Sequence, residues 1–199
     1  MAILYSDTFT APNGTLLSAH TSESGHTYSP AGTAEIQSGV LTGEISYSAP
    51  AQVVGLVDSG GSFFASIVFN AGSLLFVIYR GDPLGDAYAF IYSGTWYLYR
   101  ITSGFEWAEL DQDSTPLTGE VDLRWEVSAD GAVHNVYLGE VLILAAVDPS
   151  PHPLGGVHFF FTGTSGSGFD AMRLEDLDEG PSIGGIFPMI GNLFIEGVR

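Results

Sequence analysis

Along most of the chain, apolar and polar residues alternate, or apolar residues gather in short runs rich in Val, Ile, Phe and Tyr that Gly, Pro, Asn, Asp and Ser separate. Helical periodicity is hard to find. The clearest segment is 120–128, where Val121, Leu123, Trp125 and Val127 fall on one face and Glu120, Asp122, Arg124 and Glu126 on the other. This is a half-buried strand, and Ala129-Asp130-Gly131 turns it into a second one over 133–138. Strands are also expected over 141–147, 156–162 and 168–177. Earlier in the chain, 34–44 reads as a strand pair around Ser38-Gly39, and 51–57 as the next strand. Residues 62–70 and 73–80 form a hairpin across Asn70-Ala71-Gly72-Ser73. Residues 87–92 and 95–101 form another across Ser93-Gly94, with Tyr88, Phe90 and Tyr92 sharing a face. Trp96 and Leu98 lie on one face of the second strand, Tyr97 and Tyr99 on the other. Residues 105–110 lead into an acidic turn at Asp111-Gln112-Asp113-Ser114.

So many antiparallel strands at this spacing predict an all-β chain folded as an antiparallel two-sheet β-sandwich or jelly roll. The two ends close it. Residues 7–28 begin near Phe9, turn at Asn13-Gly14 and end on Tyr28, and the strand over 168–174 is expected to lie beside Phe9. The sandwich takes up 1–177. Beyond it, 178–199 reads as an extended arm: 182–195 carries no charge, and its glycines and proline disfavour a helix. An apolar tail of this kind is covered by its own sandwich, crosses to a partner, or acts on a membrane. Ile183, Ile186, Phe187, Met189, Ile190, Leu193, Phe194 and Ile195 are the candidate partner-binding residues.

Composition narrows the classes of function. The 199 residues carry a net charge of −18, and the five cationic residues are all arginine, scattered along the chain. The absence of a basic patch argues against a face for nucleic acid or for an anionic membrane. The uncharged stretch 59–79 is interrupted by turn residues and reads as β-structure, not as a membrane helix. The N-terminus lacks a basic region and a long apolar run, so it does not read as a signal peptide. No cysteine is present, which removes disulfides, thiolate metal sites and cysteine nucleophiles. Mean hydropathy of +0.24 points to surface buried in an oligomer or larger assembly.

The ends also carry a resemblance. Asp7-Thr8-Phe9, then Asn13-Gly14-Thr15-Leu16-Leu17-Ser18-Ala19-His20-Thr21, then Gly25 and Tyr28, together with Ser38-Gly39-Val40-Leu41, Gly139-Glu140-Val141-Leu142 and Phe169-Asp170-Ala171-Met172, resemble concanavalin A-like (laminin-G-type) jelly-roll domains. Such domains are common in bacteriophage structural proteins. The resemblance implies a non-enzymatic virion protein, a capsid decoration or a tail-associated module, held to other virion proteins by its C-terminal arm. The same fold implies an alternative, a lectin-like adhesion module recognising cell-surface glycans.

Candidate chemistry is sparse. Some relatives of this fold hydrolyse glycans with carboxylates closely spaced on one strand. Here Glu106, Glu109 and Asp111, and again Glu175, Asp176, Asp178 and Glu179, do not form that pattern, although Glu109 and Asp111 are placed to share a strand face. No catalytic residue is assigned. The five histidines show no zinc-pair spacing. No cofactor is required, but Asp82 and Asp86, or Asp111 and Asp113, supply hard oxygens for a calcium ion. Tyr97, Tyr99 and Trp107 are the candidate platform for a carbohydrate.

Overall fold

The structure, a computed structural model, describes residues 3–29, 33–42, 51–58, 60–70, 73–81, 85–104, 106–162 and 167–176. The candidate arm residues from Ile183 to Ile195, and Asp82, lie outside this set. The strands in chain order are β1 (Ile3–Asp7), β2 (Thr15–Leu16), β3 (Tyr28–Ser29), β4 (Glu35–Gln37), β5 (Val40–Thr42), β6 (Ala51–Asp58), β7 (Gly61–Phe69) and β8 (Leu74–Gly81). They continue with β9 (Ala87–Tyr92), β10 (Trp96–Ile101), β11 (Trp107–Asp113), β12 (Gly119–Val127), β13 (Val133–Leu138), β14 (Val141–Val147), β15 (Gly155–Thr162) and β16 (Gly168–Asp176). A single 3-10 turn over Leu17–Ala19 is the one helical element among the described residues. No helix among them is long and apolar enough to cross a membrane.

Two antiparallel sheets result. One has nine strands in the order β14-β13-β12-β7-β16-β5-β4-β2, with β1 also paired to β16. The other has seven, in the order β11-β10-β9-β8-β15-β6-β3. The expected closure of the two ends is present, through β1 and not through Phe9: Asp7 lies opposite Met172 and Ser6 opposite Arg173. Phe9 follows the strand with φ of 49°, and its N–H donates to the Asp7 carboxylate.

The hairpin expected over 62–80 is not formed. Its two strands exist, but β7 pairs with β12 and β16 in the nine-stranded sheet, and β8 with β9 and β15 in the other. The reason is supply of partners. Both are interior strands with both edges taken, so the short link carries the chain from one sheet to the other. Ser167 anchors this corner: its hydroxyl accepts from the Asn70 N–H at 2.9 Å and lies 2.7 Å from that of Ser73.

The core lies between the sheets. Phe63, Ala65, Ile67 and Phe69 of β7 alternate inward, as do Leu123, Trp125 and Val127 of β12. Trp125 joins the two sheets: it stacks on Phe63 at 4.8 Å and meets Phe90 of β9 edge-on at 5.1 Å.

Two polar clusters are buried within this apolar surround. In the first, the Asp7 carboxylate accepts from His20 Nε2 at 3.0 and 2.9 Å, from the Phe9 N–H at 2.6 Å and from the Tyr28 hydroxyl, which also lies 2.6 Å from that of Tyr5. Burial raises the pKa of both tyrosines far above the phenolic range. In the second, His134 of β13 lies under Tyr88 at a ring distance of 4.2 Å, and its Nδ1 is 3.2 Å from the Tyr79 hydroxyl. Its Nε2 is buried without a hydrogen-bond partner, as is Nε of the buried Arg80. Burial pushes His134 down to about 4, the Arg80 guanidinium adds to the shift, and the Asp148 and Asp130 carboxylates oppose it.

Candidate functional site

In a strand, residues two apart point the same way, and residues opposite one another across a ladder share a face. Trp96 and Leu98 of β10 are buried between the sheets, so Tyr97 and Tyr99 face outward. Trp107 of β11 lies opposite Ile101, two residues beyond Tyr99, and therefore shares that outer face. The structure brings these three sequence-predicted residues together. The rings of Tyr97 and Tyr99 stack at 5.6 Å, and Tyr99 meets Trp107 edge-on at 5.5 Å. Trp107 is 36 % exposed and the tyrosines half-buried.

Three further residues complete the patch: the sequence raised Glu109 only among carboxylates that lack the hydrolase pattern, and it did not point to Phe76 or Gln112. Phe76 of β8 is buried, its ring 5.6 Å from that of Trp107, and forms part of the floor. Every residue of β8 from Leu75 to Arg80 is buried, which hides the alternation that would have revealed its direction. Glu109 pairs with Tyr99 and Gln112 with Tyr97, and both are exposed. The Tyr99 hydroxyl is raised above its usual range, first by burial and then by the Glu109 and Tyr97 charges. The patch thus offers aromatic faces, a carboxylate acceptor and an amide in one place. Planar rings fit the C–H faces of a sugar, and the polar groups fit its hydroxyls.

The other sequence-predicted residues are placed differently. The expected acidic turn at 111–114 is strand as far as Asp113. A bulge between Leu98 and Tyr99 shifts the register, so Glu109 faces Tyr99 while Asp111 faces Leu98. The extra residue, Leu110, reverses the alternation, and the shared face expected for Glu109 and Asp111 is lost. The Asp111 carboxylate instead accepts the N–H of Ala145 on β14 at 2.7 Å, tying together the edge strands of the two sheets. The Thr115 side chain and its N–H, the latter at 2.6 Å, both donate to Asp113 and hold its pKa below the usual carboxylate range.

Asp86 accepts the Ser103 N–H at 2.8 Å and sits 3.9 Å from His152 Nδ1. Behind it, Asp148 accepts the Tyr88 hydroxyl at 2.6 Å and lies 3.4 Å from Arg100 Nε. These carboxylates are spent on local backbone and side-chain donors. No group of three or more His, Cys, Asp or Glu that could hold a metal ion occurs among the described residues.

No family model matches the sequence, and no curated protein matches it. Solved structures do match. A Bacillus subtilis protein of unknown function with a galectin-like fold is 12 % identical, with 87 % of this chain and 96 % of that one covered and a TM-score of 0.57. A prokaryotic β-1,3-1,4-glucanase (lichenase) from a mouse hindgut metagenome is 10 % identical, covers 87 % and 99 %, and also scores 0.57. The Caenorhabditis elegans galectin LEC-6 is 14 % identical, covers 64 % and 91 %, and scores 0.51. At these identities the likeness establishes the fold, a concanavalin A-like jelly roll. None of these three is named as a bacteriophage protein.

Proposed function

We propose that the protein is a carbohydrate-binding module, and that Tyr97, Tyr99 and Trp107 on the outer face of the seven-stranded sheet form its sugar platform. One observation carries this reading: three aromatic rings from two strands meet in a partly exposed cluster, beside Glu109 and Gln112. The fold is shared with a galectin and a glucanase, which supports a glycan as the ligand class. The charge of −18 favours a neutral glycan over an acidic one. The module is read as non-catalytic, because glycoside hydrolysis needs two carboxylates flanking one bond. Near the platform, Glu109 and Asp111 lie on opposite faces of β11.

A glycan array followed by calorimetry tests the reading. Trp107→Ala is expected to weaken binding of the best neutral glycan at least tenfold with the fold intact. Unchanged affinity, or release of reducing ends from that glycan, would sink it.

A second reading, attachment to a virion, rests on the bacteriophage resemblance and on the uncharged run 182–195. Deleting 180–199 and measuring incorporation into particles separates the two. Undiminished incorporation removes the arm from the account.

A further inference from the structure

The opposite face of the molecule carries a second arrangement that the aromatic platform does not use. Across the outer face of the nine-stranded sheet, ladder register aligns Tyr137 (β13), Arg124 (β12), Phe64 (β7), Arg173 (β16) and Ser6 (β1) in one row. Aromatic and guanidinium groups alternate along it. The Arg124 guanidinium lies 4.1 Å over the Tyr137 ring, and that of Arg173 lies 4.4 Å over Phe64. Two of the five cationic residues of this acidic chain thus stand in one row.

Each arginine is also held by a carboxylate two residues along its own strand. Arg173 Nε is 2.8 Å from Glu175, and Arg124 Nη1 is 3.5 Å from Glu126, which also accepts the Tyr137 hydroxyl at 3.2 Å. Stacking and pairing fix both planes in advance, which lowers the ordering cost of binding. Further N–H donors on both guanidinium groups remain.

Beside the row runs a groove of about 560 Å³. Both arginines line it, together with Ser66, Thr8, Asp122 and Glu140. Guanidinium donors and carboxylate acceptors therefore line the same groove, with hydroxyls between them. We propose that this groove is a second ligand site, for a neutral, hydroxyl-rich sugar chain, and that the protein is bivalent. The charges decide the ligand class. The two arginines that line the groove are already paired with Glu126 and Glu175, three carboxylate residues (Asp7, Asp122 and Glu140) line it beside them, and the chain as a whole repels an acidic ligand. The arginines sit two strands apart, about 10 Å, a span that suits consecutive sugar units. The ligand class is taken from the function proposed above; the site itself rests on different residues.

The test uses the full chain with a β-1,3-1,4-glucan, a neutral galactan and the acidic polymer alginate. Calorimetry with short oligosaccharides gives stoichiometry, and turbidity with the polymers gives cross-linking. The wild type is expected to bind two equivalents of a neutral oligosaccharide and to cross-link the parent polymer. R124A/R173A is expected to bind one equivalent, lose cross-linking and keep the platform affinity. W107A is expected to lose the other equivalent. R124K/R173K keeps the charges but not the planar stacked donors, and is expected to lose cross-linking as well.

A wild-type stoichiometry of one, abolished by W107A alone, overturns the second site and leaves the platform reading standing. One equivalent abolished only by the arginine variants overturns the platform reading instead. Alginate binding that R124A/R173A abolishes, or full activity in R124K/R173K, overturns the ligand chemistry. No binding to either neutral polymer overturns both proposals.

Discussion

Two of the buried histidines of this sandwich, His20 and His134, have opposite surroundings. His20 meets a carboxylate, and that carboxylate also gathers the Phe9 N–H and the Tyr28 hydroxyl around itself. His134 packs against Tyr79 and Tyr88 with the Arg80 charge nearby, and a nitrogen on each of His134 and Arg80 is left without a hydrogen-bond partner. The comparison separates burial from satisfaction. Buried polar groups support a fold when each has its complement, and become points of weakness when they do not. The Asp7 cluster therefore acts as a staple at the entry of the chain, and the His134 cluster as a place where acid opens it.

The largest effect is expected from Asp7→Ala, which removes the acceptor of three buried donors at once. Urea unfolding should show a loss of about 4 kcal/mol. A loss under about 1 kcal/mol would erase the contrast between the two clusters.

Next is pH. The unfolded chain protonates His134 near its ordinary value of 6.5, whereas the folded chain resists until about 4. Protons thus bind the unfolded state preferentially in that window. The contribution is complete above 6.5 and is lost as pH falls through 4, by about 3 kcal/mol at most. Urea midpoints measured from pH 7 to 4 should fall more steeply for the wild type than for His134→Gln. Parallel slopes would mean that His134 is not the acid-sensitive group.

The smallest effects come from single hydroxyls. Tyr28→Phe, in the satisfied cluster, should cost about 1.5 kcal/mol, and Tyr79→Phe, whose contact to His134 is 3.2 Å, less than about 1 kcal/mol. The reverse order in thermal melts would contradict the assignment of the better-made network to Asp7.

The two outer faces of the molecule show what alternation along the chain reveals. The 120–128 strand was legible because each inward residue is apolar and each outward residue polar, and Leu123, Trp125 and Val127 are buried as expected. Tyr97 and Tyr99 were legible by the same rule. Phe76 was not, because β8 is buried on both faces. The crossing from β7 to β8 escaped detection because a short turn-rich link suits a hairpin and a change of sheet equally well. The bulge at Leu110 escaped because one inserted residue leaves composition untouched while exchanging faces. The Arg124–Phe64–Arg173 row joins strands distant in sequence, and only strand order places them side by side. Asp7 and His20 are likewise ordinary loop-flanking residues until the chain folds back.

The pairing of β16 with β7 also has a consequence for the order of events as the chain is made. Residues 61–69 leave the ribosome before either of their partners, 119–127 and 168–176, and the edge that 168–176 covers stays open the longer. Until then an apolar strand with unsatisfied N–H and C=O groups is available to any passing edge. Non-local closure of this kind places folding in the slow range typical of sandwiches, about milliseconds to seconds. A stalled or truncated chain ending before residue 168 is therefore expected to aggregate, and a synthetic peptide of 168–176 added in trans should relieve it.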